Sequence, residues 1–267
     1  MNLVEFFGTV IKPKKVKGKG MMHPLETGNF NDDVFFIRDK DVNAFFIKSD
    51  NGYLAIDSGY KNSENILNGL KQLNIHPNDI KNVILTHLDL DHAGGLDYRC
   101  NIIYPVANVY LGAEESKYLN KTYSRKVILG IKLPSPVQLK PNYTLVNDNE
   151  ELNIDGISVK AFLTPGHTLG HLSYLINGYL FVGDTMILGK DGGYCFWDFW
   201  NTDSVMNKES LNKLDLIARV YKVKAIFTSH NGMTEDIDFA FKHKDTYIDW
   251  NKKGFVFDED APFDAYK

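Results

Sequence analysis

This sequence is poor in cysteine, in long apolar runs and in net positive charge. Its two cysteines are Cys100 and Cys195. They are too few for a disulfide framework and neither sits in a C-x-x-C pair, which suits a reducing cytoplasm. No apolar run approaches the roughly 18 residues of a membrane span. The net charge is -4 and the pI is near 6.1. With no basic stripe interleaved with aromatics, nucleic acid is not an expected partner. A glycine-rich phosphate cradle and an internal repeat are also missing. What is present is a hydrophobic fraction of 43% and an aromatic fraction of 13%, enough for a sizeable core, and a small molecule is the expected substrate.

Residues 1–30 read as an irregular N-terminal extension, and 31–267 as one domain. In the extension, Leu3, Val4, Phe6 and Phe7 precede the cluster Lys12, Lys14, Lys15, Lys17 and Lys19. That order is opposite to a secretory signal, and the lysines read as a solvated loop.

Strands are expected at Val34–Arg38, Asn43–Lys48 and Tyr53–Ile56, the last two joined by the hairpin signal Asn51-Gly52. Ser63 to Leu73 carries Ile66, Leu67, Leu70 and Leu73 at helical spacing, with Ser63 as cap. Asn82–Leu85 reads as a buried strand, Ile102–Tyr104 and Asn108–Leu111 as short strands, and Glu114–Leu119 as helical. The basic, proline-punctuated stretch 120–142, with Lys121, Arg125, Lys126 and Lys132, reads as a surface insertion or hinge. The second half repeats the theme: strands Thr144–Val146 and Ile157–Leu163, a hairpin of Leu172–Ile176 and Tyr179–Val182 through Asn177-Gly178, a helix Val205–Tyr221, a strand Ala225–Thr228 and a final helix Asp238–Trp250. This order fits a two-sheet sandwich with helices outside, its strand ends along one edge.

The densest chemistry lies in Thr86–Gly95. His87, Asp89, Asp91 and His92 follow a buried apolar strand and are closed by Gly94-Gly95. So many imidazoles and carboxylates at one strand end are costly unless partnered, and a metal ion satisfies all four. Matching groups recur in Thr164-Pro165-Gly166-His167-Thr168-Leu169-Gly170-His171, in Gly183-Asp184-Thr185 and in Ser229-His230-Asn231-Gly232, with a turn Asp57-Ser58-Gly59 upstream.

These motifs, in this order, resemble the metallo-β-lactamase-fold hydrolases. The resemblance covers about residues 34–232. It implies an α/β fold, a four-layer αββα sandwich of two mixed β-sheets with helices on the outer faces. It also implies two divalent metal ions. Site one would use His87, Asp89 and His167; site two would use Asp91, His92 and His230; Asp184 would bridge them. His171 reads as a supporting histidine.

The chain departs from the family pattern at Asp89, where the family has histidine. Asp89, Asp91, Asp184 and a shared hydroxide would balance two divalent cations, whereas a histidine would leave one net positive charge. The centre is therefore expected to be a weaker Lewis acid. It should still take zinc, with a lean toward iron or manganese.

The aromatic run 189–204, with Tyr194, Phe196, Trp197, Phe199 and Trp200, reads as a wall over the metals or as packing against the core or a second copy in a homodimer. Cys195 is given no nucleophilic role, and His23, His76 and His243 none.

The expected function is a dinuclear hydrolase in which a shared hydroxide attacks a small ester, thioester or lactone. Asp91 would orient the hydroxide and move a proton, and Tyr194 would donate to the developing oxyanion. Two alternatives use the same metals. One is a di-iron oxidoreductase reducing oxygen or nitric oxide with a separate electron donor, motivated by Asp89. The other is a phosphodiesterase or nuclease.

Overall fold

The computed structural model describes residues 21–125 and 135–247. The lysine-rich N-terminal cluster, residues 126–134 of the expected hinge and the end of the expected last helix lie outside them. Strands β1 (Gly28–Asn29), β2 (Val34–Asp39), β3 (Val42–Ser49), β4 (Gly52–Ile56), β5 (Ile80–Ile84), β6 (Asn108–Gly112) and β7 (Thr144–Val146) form a first sheet in sequence order. Its first four strands are antiparallel; β4 to β7 run parallel. A second sheet is built from β8 (Glu151–Ile154), β9 (Ile157–Leu163), β10 (Leu172–Ile176), β11 (Tyr179–Phe181), β14 (Ala225–Phe227) and β15 (Met233–Thr234). Two strands inserted between β11 and β14, β12 (Met186–Gly189) and β13 (Gly192–Cys195), join β16 (His243–Tyr247), which follows β15, in a small third sheet.

Period-two alternation sorts the strand residues into layers. Phe36, Phe45, Ile47, Leu54 and Ile84 of the first sheet meet Ala161, Tyr174, Phe181 and Phe227 of the second in one buried cluster. Their neighbours Ile37, Phe46, Ala55 and Val83 face the other way, toward helix α1 (Glu64–Gln72). Phe162, Leu180 and Ile226 turn outward to pack with Leu211, Leu214, Ile217 and Ala218. Those four belong to α3 (Ser204–Val220), which follows the single turn α2 (Leu90–Ala93) in chain order and precedes the short α4 (Ile237–Ala240). Helix, sheet, sheet, helix is the expected four-layer α/β sandwich.

The cap expected at Ser63 holds, and the structure adds one at Asp203. Ser63 Oγ accepts from Ile66 N at 3.2 Å at the start of α1, and Asp203 caps α3 through Val205 N and Met206 N. Gly69 lets α1 sit directly on β2, because a Cβ there would meet Ile37 Cγ2 at 2.4 Å.

Three local expectations fail. Ile102–Tyr104 is not a strand; Ile103 and Tyr104 are buried in the α1-side cluster without ladder pairing. Asp238 does not start a long helix: after α4 the chain enters β16, parallel to β13, so His243 lies on a strand. The 189–204 run is not all loop, since β13 pairs with β12. The boundary at residue 30 is also softer than composition implies. Met21 is 1% exposed and bridges Gly189, and Leu25 N donates to Asn43 Oδ1 at 2.8 Å.

Candidate metal centre

The C-terminal ends of β4, β5, β9, β11 and β14 reach one edge, and the motif residues follow each of them. The two sheets are stitched there by backbone bonds, Leu172 N to Thr86 O at 2.9 Å and Asn43 N to Ser229 O at 2.8 Å. The Tyr174 hydroxyl also donates to Leu85 O at 2.7 Å. The N-terminus of α3 supports the second-sheet loops. Asn207 Oδ1 accepts from Phe196 N at 2.9 Å and its amide donates to Thr185 O at 3.1 Å. Gly166 has φ 140° and no room for a side chain, because a Cβ would lie 2.3 Å from Asn207 N.

All seven expected ligands converge. His87, Asp89 and His167 form one group that could hold an ion, and Asp91, His92 and His230 form a second. Asp184 lies between them. Its Oδ2 is 3.4 Å from His167 Nε2 and 3.9 Å from His87 Nε2. Its Oδ1 is 3.4 Å from His92 Nε2 and 3.3 Å from His230 Nε2. Asp89 Oδ2 faces His167 Nε2 at 3.1 Å, and Asp91 Oδ2 faces His230 Nε2 at 3.3 Å.

The rear nitrogens fix the imidazoles. His92 Nδ1 donates to Asp57 Oδ2 at 2.8 Å. The same oxygen accepts the Thr86 hydroxyl, which in turn accepts from His87 Nδ1 at 3.0 Å. His230 Nδ1 donates to the Asp41 carbonyl at 2.6 Å. These bonds turn Nε2 inward, the second layer that metal-ligating histidines have. Nε2 of His87 and of His92 are buried without a hydrogen-bond partner. Orphaned nitrogens among buried carboxylates are costly in a dry protein and natural in a metal site, so the donor set fits divalent cations.

Burial, helped by the neighbouring His92, pushes the His87 imidazole down to about 3, leaving its Nε2 lone pair free. Burial opposes charge on His92 too, but Asp184, Asp91 and Asp57 overcome it and hold its pKa well above the usual value. His171 takes the supporting place expected of it. Its Nε2 accepts from Asp184 N at 3.1 Å and its Nδ1 bonds Thr164.

Residues 37–230 match the model of the metallo-beta-lactamase superfamily. The chain belongs to that superfamily. "Glyoxylase B2" of Dictyostelium discoideum is 31% identical over 164 residues, 61% of this chain and 53% of that protein. A "Hydroxyacylglutathione hydrolase" of Buchnera aphidicola subsp. Schizaphis graminum is 31% identical over 156 residues, 57% of this chain and 50% of that one. This chain therefore spans about half the length of these two relatives. Among solved structures, a subclass B3 metallo-beta-lactamase from a soil metagenome library superposes with TM-score 0.57 at 20% identity, over 78% of this chain and 81% of that one. A B3 enzyme described as having an active-site glutamic acid gives TM-score 0.62 at 18% identity, over 85% and 89%. At these identities the likeness is one of fold.

Within this metallo-beta-lactamase frame, Tyr194 is held to one side. Its hydroxyl donates to Asp191 Oδ2 at 2.8 Å and its ring stacks on His243 at 4.5 Å. Phe196 instead touches the cluster, with its ring 4.6 Å from that of His167. Trp197 is buried, and Phe199 is 36% exposed. The aromatic run is thus part core and part rim.

Three residues at the centre were not expected from sequence. Asp41 supplies the carbonyl behind His230. Glu115 is buried between motifs, accepting from Leu88 N at 2.9 Å and from the Thr168 hydroxyl at 2.6 Å. Arg125, expected on a surface loop, donates through Nη2 to Asp89 Oδ2 at 2.9 Å. Burial favours the neutral form of Asp89, yet Arg125, His167 and His87 together hold its carboxyl well below the usual range. Nothing in the sequence marked Arg125 apart from its charge. The balance drawn from three carboxylates alone was therefore short by one cation.

Proposed function

We propose that this chain is a metal-dependent hydrolase of a small acyl thioester, with esters and lactones as the neighbouring substrate classes. The observation that carries this reading is the divided carboxylate of Asp184, facing one pair of imidazoles with each oxygen. Divalent cations in the two clusters would supply an acidified water and a Lewis acid for an acyl carbonyl. Zinc suits the mixed imidazole and carboxylate donors, and the three aspartates would also serve iron or manganese. The thioester class is supported by relatives named for hydroxyacylglutathione hydrolysis, which release an acyl group carried on a thiol.

This chain's own residues then have separable roles. Asp57, Thr86 and the Asp41 carbonyl orient imidazoles. Asp91, 2% exposed and turned toward His92 and His230, takes the proton of the attacking water and returns one to the leaving group. Phe196 keeps bulk water from the His167 side, and Phe199 with Trp200 gives the acyl chain an apolar rim. Tyr194 would assist an oxyanion only by leaving Asp191, so it is the residue of smallest expected effect. The redox alternative drew on Asp89, whose extra charge is offset by Arg125.

The test is thiol release from S-acyl-glutathione and from simpler acyl thioesters, by stripped and by zinc-reloaded protein. Turnover that vanishes on stripping and returns with zinc is expected. Unchanged turnover after stripping, or turnover of phosphodiesters with none of thioesters, would contradict the proposal.

A further inference from the structure

Arg125 does more than balance charge, because of where its guanidinium lies. Nη2 is 2.9 Å from Asp89 Oδ2 and 3.4 Å from His167 Nε2. Asp89 Oδ2 also faces His87 Nε2 at 3.7 Å and His167 Nε2 faces Asp184 Oδ2 at 3.4 Å, so both atoms point into the cluster that His87, Asp89 and His167 form. A cation held by this trio would sit about 2 Å from each donor atom, in the space from which Nη2 reaches both. The guanidinium is anchored from behind. Nη1 donates to the His167 carbonyl and lies 3.3 Å from Thr202 Oγ1, and Nη2 is 3.3 Å from Trp200 O. The Arg125 side chain is only 15% exposed.

We propose that Arg125 competes with the metal ion of the His87–Asp89–His167 site, so that the centre holds its two ions with unequal strength. The site of Asp91, His92 and His230 keeps its ion; the other fills only when the guanidinium gives way. This rests on reading the two clusters as metal sites.

The chemistry is direct. A guanidinium stays charged at any accessible pH, so it repels a second cation under all working conditions. It also engages Asp89, the one carboxylate of that trio. The same pairing gives a reason for an aspartate where the family has histidine: a carboxylate can accept a charge-assisted bond from arginine, whereas an imidazole offers it only a neutral acceptor. Asp89 and Arg125 are then one device.

The experiment is equilibrium dialysis of the full chain against buffered zinc, with bound metal counted by mass spectrometry; it needs no substrate. R125A and R125Q are compared with the native protein, and R125A/H87A serves to locate any gained ion. R125Q keeps a donor for the carbonyls of His167 and Trp200 without the charge, so it covers the case in which R125A folds poorly.

Removing the positive charge should tighten the weaker site on the order of tenfold to a hundredfold. At a zinc concentration where the native chain holds about one ion, both single variants should hold about two. R125A/H87A should return to about one. Equal stoichiometry and equal affinities in native protein, R125A and R125Q would overturn the proposal, as would weaker binding in R125Q. An absence of bound zinc in every protein would instead overturn the reading of the clusters as metal sites, and this inference with it.

Discussion

Asp57 holds His92 in place: Nδ1 of the histidine donates to Oδ2 of the aspartate across 2.8 Å, with both side chains almost wholly buried. Asp57 adopts φ 62°, in the left-handed region, at the turn that ends β4. One carboxylate thus aims two imidazoles, His92 directly and His87 through Thr86. Asp57→Asn keeps the shape and loses the charge. It should weaken zinc binding roughly tenfold to a hundredfold, read by competition with a chromophoric chelator. Unchanged affinity would mean that the imidazoles are aimed by packing alone.

Asp184 is the only one of the seven groups whose two oxygens serve different imidazole pairs. Asp184→Asn should lower kcat/KM for any thioester substrate by about a thousandfold or more, as expected when the carboxylate shared by both imidazole pairs loses its charge. The fold should persist, because the backbone N–H of Asp184 still meets His171. Circular dichroism beside the rate assay separates lost chemistry from lost structure.

Glu115 makes stability depend on pH. Burial, only partly offset by the bonds from Thr168 and Leu88, pushes its carboxyl up from 4.5 to about 7. The folded chain therefore keeps a proton that the unfolded chain has released between those values. Stability falls as pH rises through this window, by about 3 kcal/mol at most. Glu115→Gln should remove that fall in urea titrations of metal-stripped protein. The amide oxygen still accepts from Leu88, and the Thr168 hydroxyl turns to accept from the amide. A variant with the native slope would exclude Glu115 as its source.

Cys195 is fully buried, its thiol donates to the Lys244 carbonyl at 2.9 Å, and burial pushes it up to about 12. Cys100 is half-buried. A thiol reagent should therefore label Cys100 in the folded protein and reach Cys195 only on unfolding. Peptide mapping after brief labelling checks this.

The contrast between Asp184 and Arg125 shows what a sequence carries. Asp184 follows an apolar strand and a glycine, in order with the other motifs, so its place at a strand end is legible. Arg125 sits among lysines and prolines, and only the folded chain shows that it turns inward to Asp89. Local patterning misleads where tertiary pairing decides. The apolar run Ile102–Tyr104 has strand composition yet packs beneath α1, and His243–Tyr247 becomes a strand because β13 offers it an edge. β8 carries no apolar strand pattern, because three of its four residues are partly or fully exposed. The hairpins at Asn51-Gly52 and Asn177-Gly178 were readable because the turn chemistry is local.

The most direct test of the proposed two-metal centre is anomalous diffraction from crystals equilibrated with excess zinc. Two peaks are expected roughly 3.5–4 Å apart, one among His87, Asp89 and His167, one among Asp91, His92 and His230, with the Asp184 carboxylate between them. No peak in either cluster, or zinc bound elsewhere with these seven side chains unchanged, would contradict it.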